Sequence, residues 1–313
     1  MTITQNQTQN YIGCDTSKRM LDIYDPFTRR LTRVDNDEAG LEAFVQSLVR
    51  GESFVVFEAT GGCDRLLRIA LGKAGISYAR VNPVMVRRFA QAKGRLAKTD
   101  RLDARILSQF GTSFKPEANQ PVDLERERLG ALARRRDQLV DMRAKEKKHL
   151  AEVFDDMIKA DIAHSINALD IRIEALEAEI QRQIQSIEAF AAQNKRLCSA
   201  PGIGKVTALT LMALMPELGK TTPKAIAALA GLAPMNNDSG RRTGKRSIKG
   251  GRSRVRKALY MAALGAIRAS NRFHNFYQAI ALRSGSKKLA IIATARKLLT
   301  VLNAMERTKN QFA

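Results

Sequence analysis

Phe54-Val55-Val56-Phe57-Glu58 runs straight into Ala59-Thr60-Gly61-Gly62: four large apolar residues, one acid, then a turn. A short continuous apolar run bounded by turn residues is the pattern of a buried strand, so Glu58 closes a strand at its carboxyl end. Tyr11-Ile12-Gly13-Cys14-Asp15 repeats the arrangement, with Asp15 last. A carboxylate ending a buried strand costs desolvation energy unless something compensates it. Asp100 and Asp103, three apart in Lys98-Thr99-Asp100-Arg101-Leu102-Asp103-Ala104-Arg105, share a face if that stretch is helical. A divalent metal would compensate several of these four acids at once.

Around these runs, residues 1–115 alternate strand and helix signals. Tyr11–Asp15, Leu21–Tyr24 and Leu31–Val34 predict three short strands joined by tight turns. Glu38–Val49 has amphipathic helical spacing, Arg65–Ala74 is a helix stopped by Gly75, and Ser77–Val81 is a strand ended by Asn82-Pro83. Pro83–Gln91 and Asp100–Phe110 predict helices on either side of a basic stretch. Three strands followed by α, β, α, β, α resembles the order of a ribonuclease H-like or RuvC-like nuclease domain.

Leu124 to Phe190 has no glycine after Gly130, no proline and dense charge. Ile162, Ile166, Leu169, Ile173, Leu176, Ile180, Ile184 and Ile187 keep spacings of three and four with one slip, a heptad seam. An earlier helix is expected from Leu124 to Ile158, with a break near Asp155 to Asp161. Two long helices of this kind form either an antiparallel hairpin or a dimer seam.

The 313 residues suffice for two domains and a connecting element, and 44% hydrophobic content supports ordinary cores. No run approaches the roughly 18–20 apolar residues of a membrane span, and the polar start Met1 to Asn10 is unlike a signal peptide. Cys14, Cys63 and Cys198 have neither zinc-ligand spacing nor a framework of pairs, so a cytoplasmic protein with reduced thiols is expected. Charge is unevenly spread. From Lys195 to Ala313, 23 Lys/Arg face only Glu217, Asp238 and Glu306, a net +20 out of the chain's +22. A basic half joined to a near-neutral one is the footprint of a polyanion binder. Nucleic acid fits better than anionic membrane, because no Lys/Arg-faced helix has an aromatic apolar side.

Pro201-Gly202-Ile203-Gly204-Lys205 precedes an apolar helix pattern, Val206–Met215, and resembles the phosphate-binding turn of a helix-hairpin-helix. Glycines there let backbone N–H groups at a helix N-terminus approach a phosphate; close helix packing asks for glycine equally. Ala233-Pro234-Met235-Asn236-Asn237-Asp238-Ser239-Gly240 then opens a basic run, with nine Lys/Arg among the seventeen residues Arg241 to Lys257 and no acid. Gly240, Gly244, Gly250 and Gly251 make its first part a flexible loop, expected to grip a phosphate backbone through Arg241, Arg242, Lys245, Arg246, Lys249, Arg252 and Arg254. Helices are expected around Val255–Ser270 and Lys287–Met305.

Taken in order, these motifs resemble the DEDD-type transposases of bacterial insertion sequences, the family of RNA-guided bridge recombinases. The resemblance covers nearly the whole chain. It runs from Tyr11-Ile12-Gly13-Cys14-Asp15-Thr16-Ser17-Lys18, through Phe57-Glu58-Ala59-Thr60-Gly61-Gly62 and the Asp100/Asp103 motif, to Leu229-Ala230-Gly231-Leu232-Ala233-Pro234 and Asp238-Ser239-Gly240-Arg241-Arg242. Cys14 stands where the family commonly has an aliphatic residue. The resemblance implies an α/β plus α protein in three parts. A RuvC-like domain over 1–115 would carry the tetrad Asp15, Glu58, Asp100 and Asp103. A coiled-coil oligomerisation segment would follow over 116–194. A mainly helical, basic C-terminal domain over 195–313 would supply a nucleophile, Ser239. It further implies strand cleavage, exchange and rejoining through a phosphoserine, double-stranded donor and target DNA, a noncoding guide RNA, and a homodimer or tetramer.

The chemistry of the residues agrees with this and leaves other readings open. Carboxylates suit Mg²⁺, with Mn²⁺ as an alternative, since hard ions take oxygen ligands and share their shell with phosphate. Asp100 and Asp103 also suit helix N-terminal capping, which leaves Asp15 and Glu58 unaccounted for. Ser239 also fits ordinary turn chemistry, and a serine hydroxyl needs activation before it attacks. Two further functions use the same residues. One is a structure-selective nuclease whose tetrad activates water; the other is a non-catalytic nucleic-acid scaffold built on the basic half.

Overall fold

The computed structural model describes residues 9–59, 61–94, 100–235, 246–268 and 271–312, with 100 and 101 in backbone only. The chain forms two compact units, residues 1–123 and 124–313. In the first, β1 (Asn10–Thr16), β2 (Met20–Asp25) and β3 (Arg30–Asp35) make an antiparallel meander. α1 (Glu38–Gln46) starts where the Asp37 side chain accepts from the Gly40 N–H. β4 (Ser53–Glu58) returns parallel to β1, and α2 (Arg65–Ala74) ends at Gly75 in the left-handed region, φ 67°. β5 (Ser77–Val81) lies parallel to β4. α3 (Pro83–Ala92) begins on an Asn82 cap, and α4 (Asp100–Phe114) completes the unit. Sheet order is β3-β2-β1-β4-β5.

Successive residues of a strand face opposite ways, so β1 and β4 feed two cores. Ile12, Cys14, Val55 and Phe57 pack with Leu41, Phe44, Leu67 and Leu71 of α1 and α2. Tyr11, Phe54 and Val56 pack with Val86, Ile106, Leu107 and Phe110 of α3 and α4. A strand covered on both faces needs a continuous apolar run, and each such side chain contributes about 1.5–3 kcal/mol on burial. The expected order of strands and helices over 1–115 is thus observed as a mixed α/β sheet.

Among its described residues, the second unit is helical apart from one pair of two-residue strands. α5 (Leu124–Glu152) and α6 (Asp156–Ser186) run antiparallel, since Arg128 pairs with Glu179, Arg136 with Glu177 and Arg143 with Asp170. Leu139 meets Leu169 and Ile173, while Leu129 and Ala133 join Ile180 and Ile184 in the main core. Of the two arrangements the heptad spacing allowed, the chain fills its own seam as a hairpin. The break between the helices falls at residues 153–155, earlier than expected, because the Asp155 carboxylate accepts from the Met157 and Ile158 N–H groups and starts α6 there.

α7 (Glu188–Cys198), α8 (Lys205–Leu214) and α9 (Pro223–Leu229) follow. Then come the strands β6 (Pro234–Met235) and β7 (Ser247–Ile248), paired antiparallel, and α10 (Ser253–Ala266), α11 (Arg272–Ser284) and α12 (Lys287–Thr308). α12 runs through the core on Ala295, Leu298, Leu299 and Leu302. Its buried Glu306 is held by Arg196 through hydrogen bonds of 3.1 and 3.0 Å. No helix of the described residues is long and apolar enough to cross a membrane.

Candidate functional site

Cys14 of β1 lies opposite Phe57 of β4 in a parallel pair, so Asp15 and Glu58, the next residues, reach the same level. Alternation puts Asp15 with Tyr11 and Gly13, and Glu58 with Phe54 and Val56, on the face that α4 covers. α4 comes close at Gly13, where a Cβ would stand 1.9 Å from the Ala104 carbonyl oxygen. Further along, a Cβ on Gly111 would meet Val56 and Tyr11 at 2.8 and 2.9 Å. From Ala104 to Gly111 the helix therefore travels backwards along β1. Its other end, where Asp100 and Asp103 stand, points toward the carboxyl ends of β1 and β4. Asp15, Glu58 and Asp103 are all half-buried.

The sequence reading missed a further acid in this row. Asp22 of β2 is the cross-strand partner of Asp15, and Arg33 of β3 is the partner of Asp22. The Asp22 side chain is buried, and Arg33 donates Nε and Nη2 to its two carboxylate oxygens at 3.1 and 2.7 Å. Arg105 of α4 stacks over Tyr24 on the same face, 5.3 Å from the ring centre. An available signal was an acid between two apolar residues, Leu21-Asp22-Ile23, in a strand one short turn from β1. Burial pushes the Cys14 thiol well above its ordinary range, and the carboxylates of Asp15 and Asp22 push it the same way. Cys14 is thus a buried core thiol whose surroundings disfavour the thiolate.

In the second unit the basic residues divide. Gly202 (φ 78°) is required by packing, since a Cβ would stand 2.1 Å from the Ala262 carbonyl oxygen of α10. Gly204 has open space around it and caps α8 without a side chain, and Lys205 is exposed on the first turn. Arg246 and Lys249 are exposed. Arg252 and Arg254, expected on a phosphate backbone, are engaged within their own chain. Arg252 holds Glu217 at 2.6 and 2.7 Å and the Leu214 carbonyl at 2.8 Å; Arg254 holds Asp137 at 2.7 Å and the Ala133 carbonyl at 2.6 Å. Burial alone would raise the Glu217 carboxyl, but the Arg252 hydrogen bonds bring it below the usual range. Ser239, Arg241, Arg242 and Lys245 lie outside the described residues; the chain that carries them joins β6 to β7.

Two family models match the chain in order. A DEDD transposase model covers residues 12–158, and a model described as the transposase IS116/IS110/IS902 family covers residues 194–278. The chain belongs to this transposase family. It is similar along nearly its whole length to the pilin gene-inverting proteins of Moraxella lacunata and Moraxella bovis, each 28% identical over 97% of this chain and 98% of the relative. A 44.8 kDa protein of insertion element IS116 from Streptomyces clavuligerus is 34% identical over 49% of this chain and 38% of its own length.

The enzyme is accordingly a DNA transposase, and the DEDD transposase domain is typically metal-dependent. Among the described residues, no three or more His, Cys, Asp or Glu side chains form a group able to hold a metal ion. Asp100, expected from the sequence as a fourth acid beside Asp15, Glu58 and Asp103, is described in backbone only. The three described side chains are of a kind that fits a hard divalent ion: all are half-buried carboxylates, and two, Asp15 and Glu58, stand at one level on adjacent strands.

Proposed function

We propose that this transposase cuts, exchanges and rejoins DNA strands through a phosphoserine intermediate, using carboxylates of a RuvC-like domain and Ser239 as nucleophile. The observation that carries this reading is the alignment of Asp15 and Glu58 on adjacent parallel strands, under the face covered by the acid-bearing helix α4. Asp15, Glu58, Asp100 and Asp103 would hold Mg²⁺ or Mn²⁺, which when bound polarises the phosphodiester and stabilises the leaving oxygen.

The remaining work falls to the chain. Ser239 Oγ attacks phosphorus: the Oγ–P bond forms, the P–O3′ bond breaks, and the serine proton passes to the departing oxygen. The products are a phosphoserine and a free 3′-hydroxyl. A 3′-hydroxyl of the exchanging strand reverses the step, so no nucleotide cofactor is consumed. Arg241, Arg242, Lys245 and Arg246, close to Ser239 in sequence, neutralise charge on the attacked phosphate. Gly204, Lys205 and Lys249 hold the backbone beside it. Gly202, Arg252 and Arg254 act behind them by fixing the helices that present these groups.

In this reading residues 1–115 supply the carboxylates, 116–194 self-association, and 195–313 the nucleophile. Substrates are double-stranded donor and target DNA, a noncoding RNA guides their choice, and the assembly is a homodimer or tetramer in the cytoplasm. Self-association is supported by the tip of the α5–α6 hairpin, where Phe154 and Met157 are 92% and 81% exposed. Strand exchange is supported by the two relatives named for inverting a pilin gene, since inversion requires cutting and rejoining.

The test is adduct trapping on a nicked suicide duplex in Mg²⁺. Wild type should accumulate a covalent protein–DNA species, and Ser239→Ala none. Asp15→Asn and Glu58→Gln should each reduce it on the order of a hundredfold. Cleavage by Ser239→Ala without an adduct would sink the phosphoserine route and leave a hydrolytic nuclease.

A further inference from the structure

Away from the carboxylates, a pocket of about 370 Å³ opens in the second unit between α10 and α12. Ser253, Arg256, Lys257 and Tyr260 line it from one face of α10, at spacings of three, one and three. Lys288 and Ile292, one turn apart, line it from α12, and Leu232 and Ile248 complete an apolar wall. Among the described residues, three cations and no acid therefore rim a space whose own lining is almost wholly apolar.

Each feature points to the same ligand. Both helices begin at the pocket: Ser253 is the first residue of α10 and Lys288 the second of α12. Their first-turn N–H groups and positive dipole ends add to the three side-chain charges, and that combination suits a phosphate. Arg256 is anchored, donating to the Gly250 carbonyl at 2.6 Å, whereas Lys257 and Lys288 are exposed and can close on an anion. Half-buried Tyr260, with Ile248, Ile292 and Leu232, offers an aromatic and aliphatic wall that a phosphate alone would not use. The volume lies within the roughly 300–1,000 Å³ of small-ligand pockets, room for one nucleotide.

We propose that this pocket binds a single unpaired nucleotide of the nucleic acid, its phosphate on Lys257, Lys288 and Arg256 and its base against Tyr260. Base-paired duplex cannot fill it, because its bases are stacked on one another and only its phosphates are offered. A strand opened during exchange, or a single-stranded RNA segment, presents both groups together. Ile248, which lines the pocket from β7, stands nine residues after Ser239 in the chain. A nucleotide held there would be fixed close in the chain to the proposed nucleophile. The inference rests on reading the basic half as a nucleic-acid binder.

The test uses short oligonucleotides carrying the fluorescent base 2-aminopurine, as single-stranded DNA, single-stranded RNA and perfectly paired duplex, titrated into the full chain. Tyr260→Leu should lower the ratio of single-strand to duplex affinity about tenfold. Lys257→Gln and Lys288→Gln should each reduce the salt dependence of single-strand binding by about one ion. Lys288→Glu, on the exposed first turn of α12, reads the same ratio if Tyr260→Leu fails to fold by circular dichroism. A larger fall with DNA or with RNA supports the pocket and identifies its strand. An unchanged ratio in folded variants, with duplex binding intact, overturns the pocket while leaving the polyanion reading standing. Failure of wild type to bind any of the three overturns both.

Discussion

Cys14 precedes Asp15 in the strand and faces the opposite core, so its thiol reports on burial and on its carboxylate neighbours together. Burial raises its pKa, and Asp15 and Asp22 raise it further. In the unfolded chain the thiol returns to about 8.5. A group whose folded value lies higher stabilises the fold fully below that unfolded value, and the contribution is lost as pH rises through the folded one. Wild type should therefore lose more stability between about pH 8 and 10 than Cys14→Val, measured by urea unfolding at each pH. Iodoacetamide at neutral pH should label half-buried Cys63 well before Cys14, as read by peptide mass spectrometry. Equal labelling would mean that β1 does not hold its register against β2.

At the scale of elements, the candidate site depends on α4 lying directly on β1, and Gly13 permits it. A methyl group there meets the Ala104 carbonyl oxygen and the Ser108 nitrogen, both backbone, so the helix must move as a body. Gly13→Ala should cost about 3 kcal/mol and reduce adduct formation, because it lifts the helix that carries Asp100 and Asp103. Near-wild-type activity with an unchanged unfolding midpoint would show that α4 tolerates displacement. The strand ends and the acids closing them were legible because continuous apolar runs and turn residues are local signals. The Asp15–Asp22–Arg33 row was not, since pairing across strands depends on register that no single strand encodes. For the same reason Arg252 and Arg254 looked like free charges. The run around them contains no acid, but their partners Glu217 and Asp137 lie far back in the chain. Seven-residue α9 is too short for periodicity to separate it from a turn.

For the molecule as a whole, residues 195–313 carry +20 of the +22, so attraction to DNA is expected to reside there. Affinity for duplex should fall steeply with salt, with a slope of about −0.9 per phosphate neutralised. Composition treats every Lys and Arg alike, whereas the structure separates those that face solvent from those that hold the fold. Arg246→Gln and Lys249→Gln should each reduce the slope by about one while leaving the unfolding midpoint unchanged. Arg252→Gln should act in the opposite way. It removes hydrogen bonds to Glu217 and the Leu214 carbonyl and should cost about 2 kcal/mol of stability. It also returns Glu217 toward its ordinary pKa. Stability in wild type that is present above the usual carboxylate range, and lost as pH falls through the lowered value, should be absent from the variant. Salt titrations of duplex binding beside urea unfolding at pH 7 and pH 4 separate the two behaviours. If Arg252→Gln lowered the slope like Arg246→Gln without loss of stability, the Glu217 pair would be one that DNA displaces, and Arg252 would belong on the phosphate backbone after all.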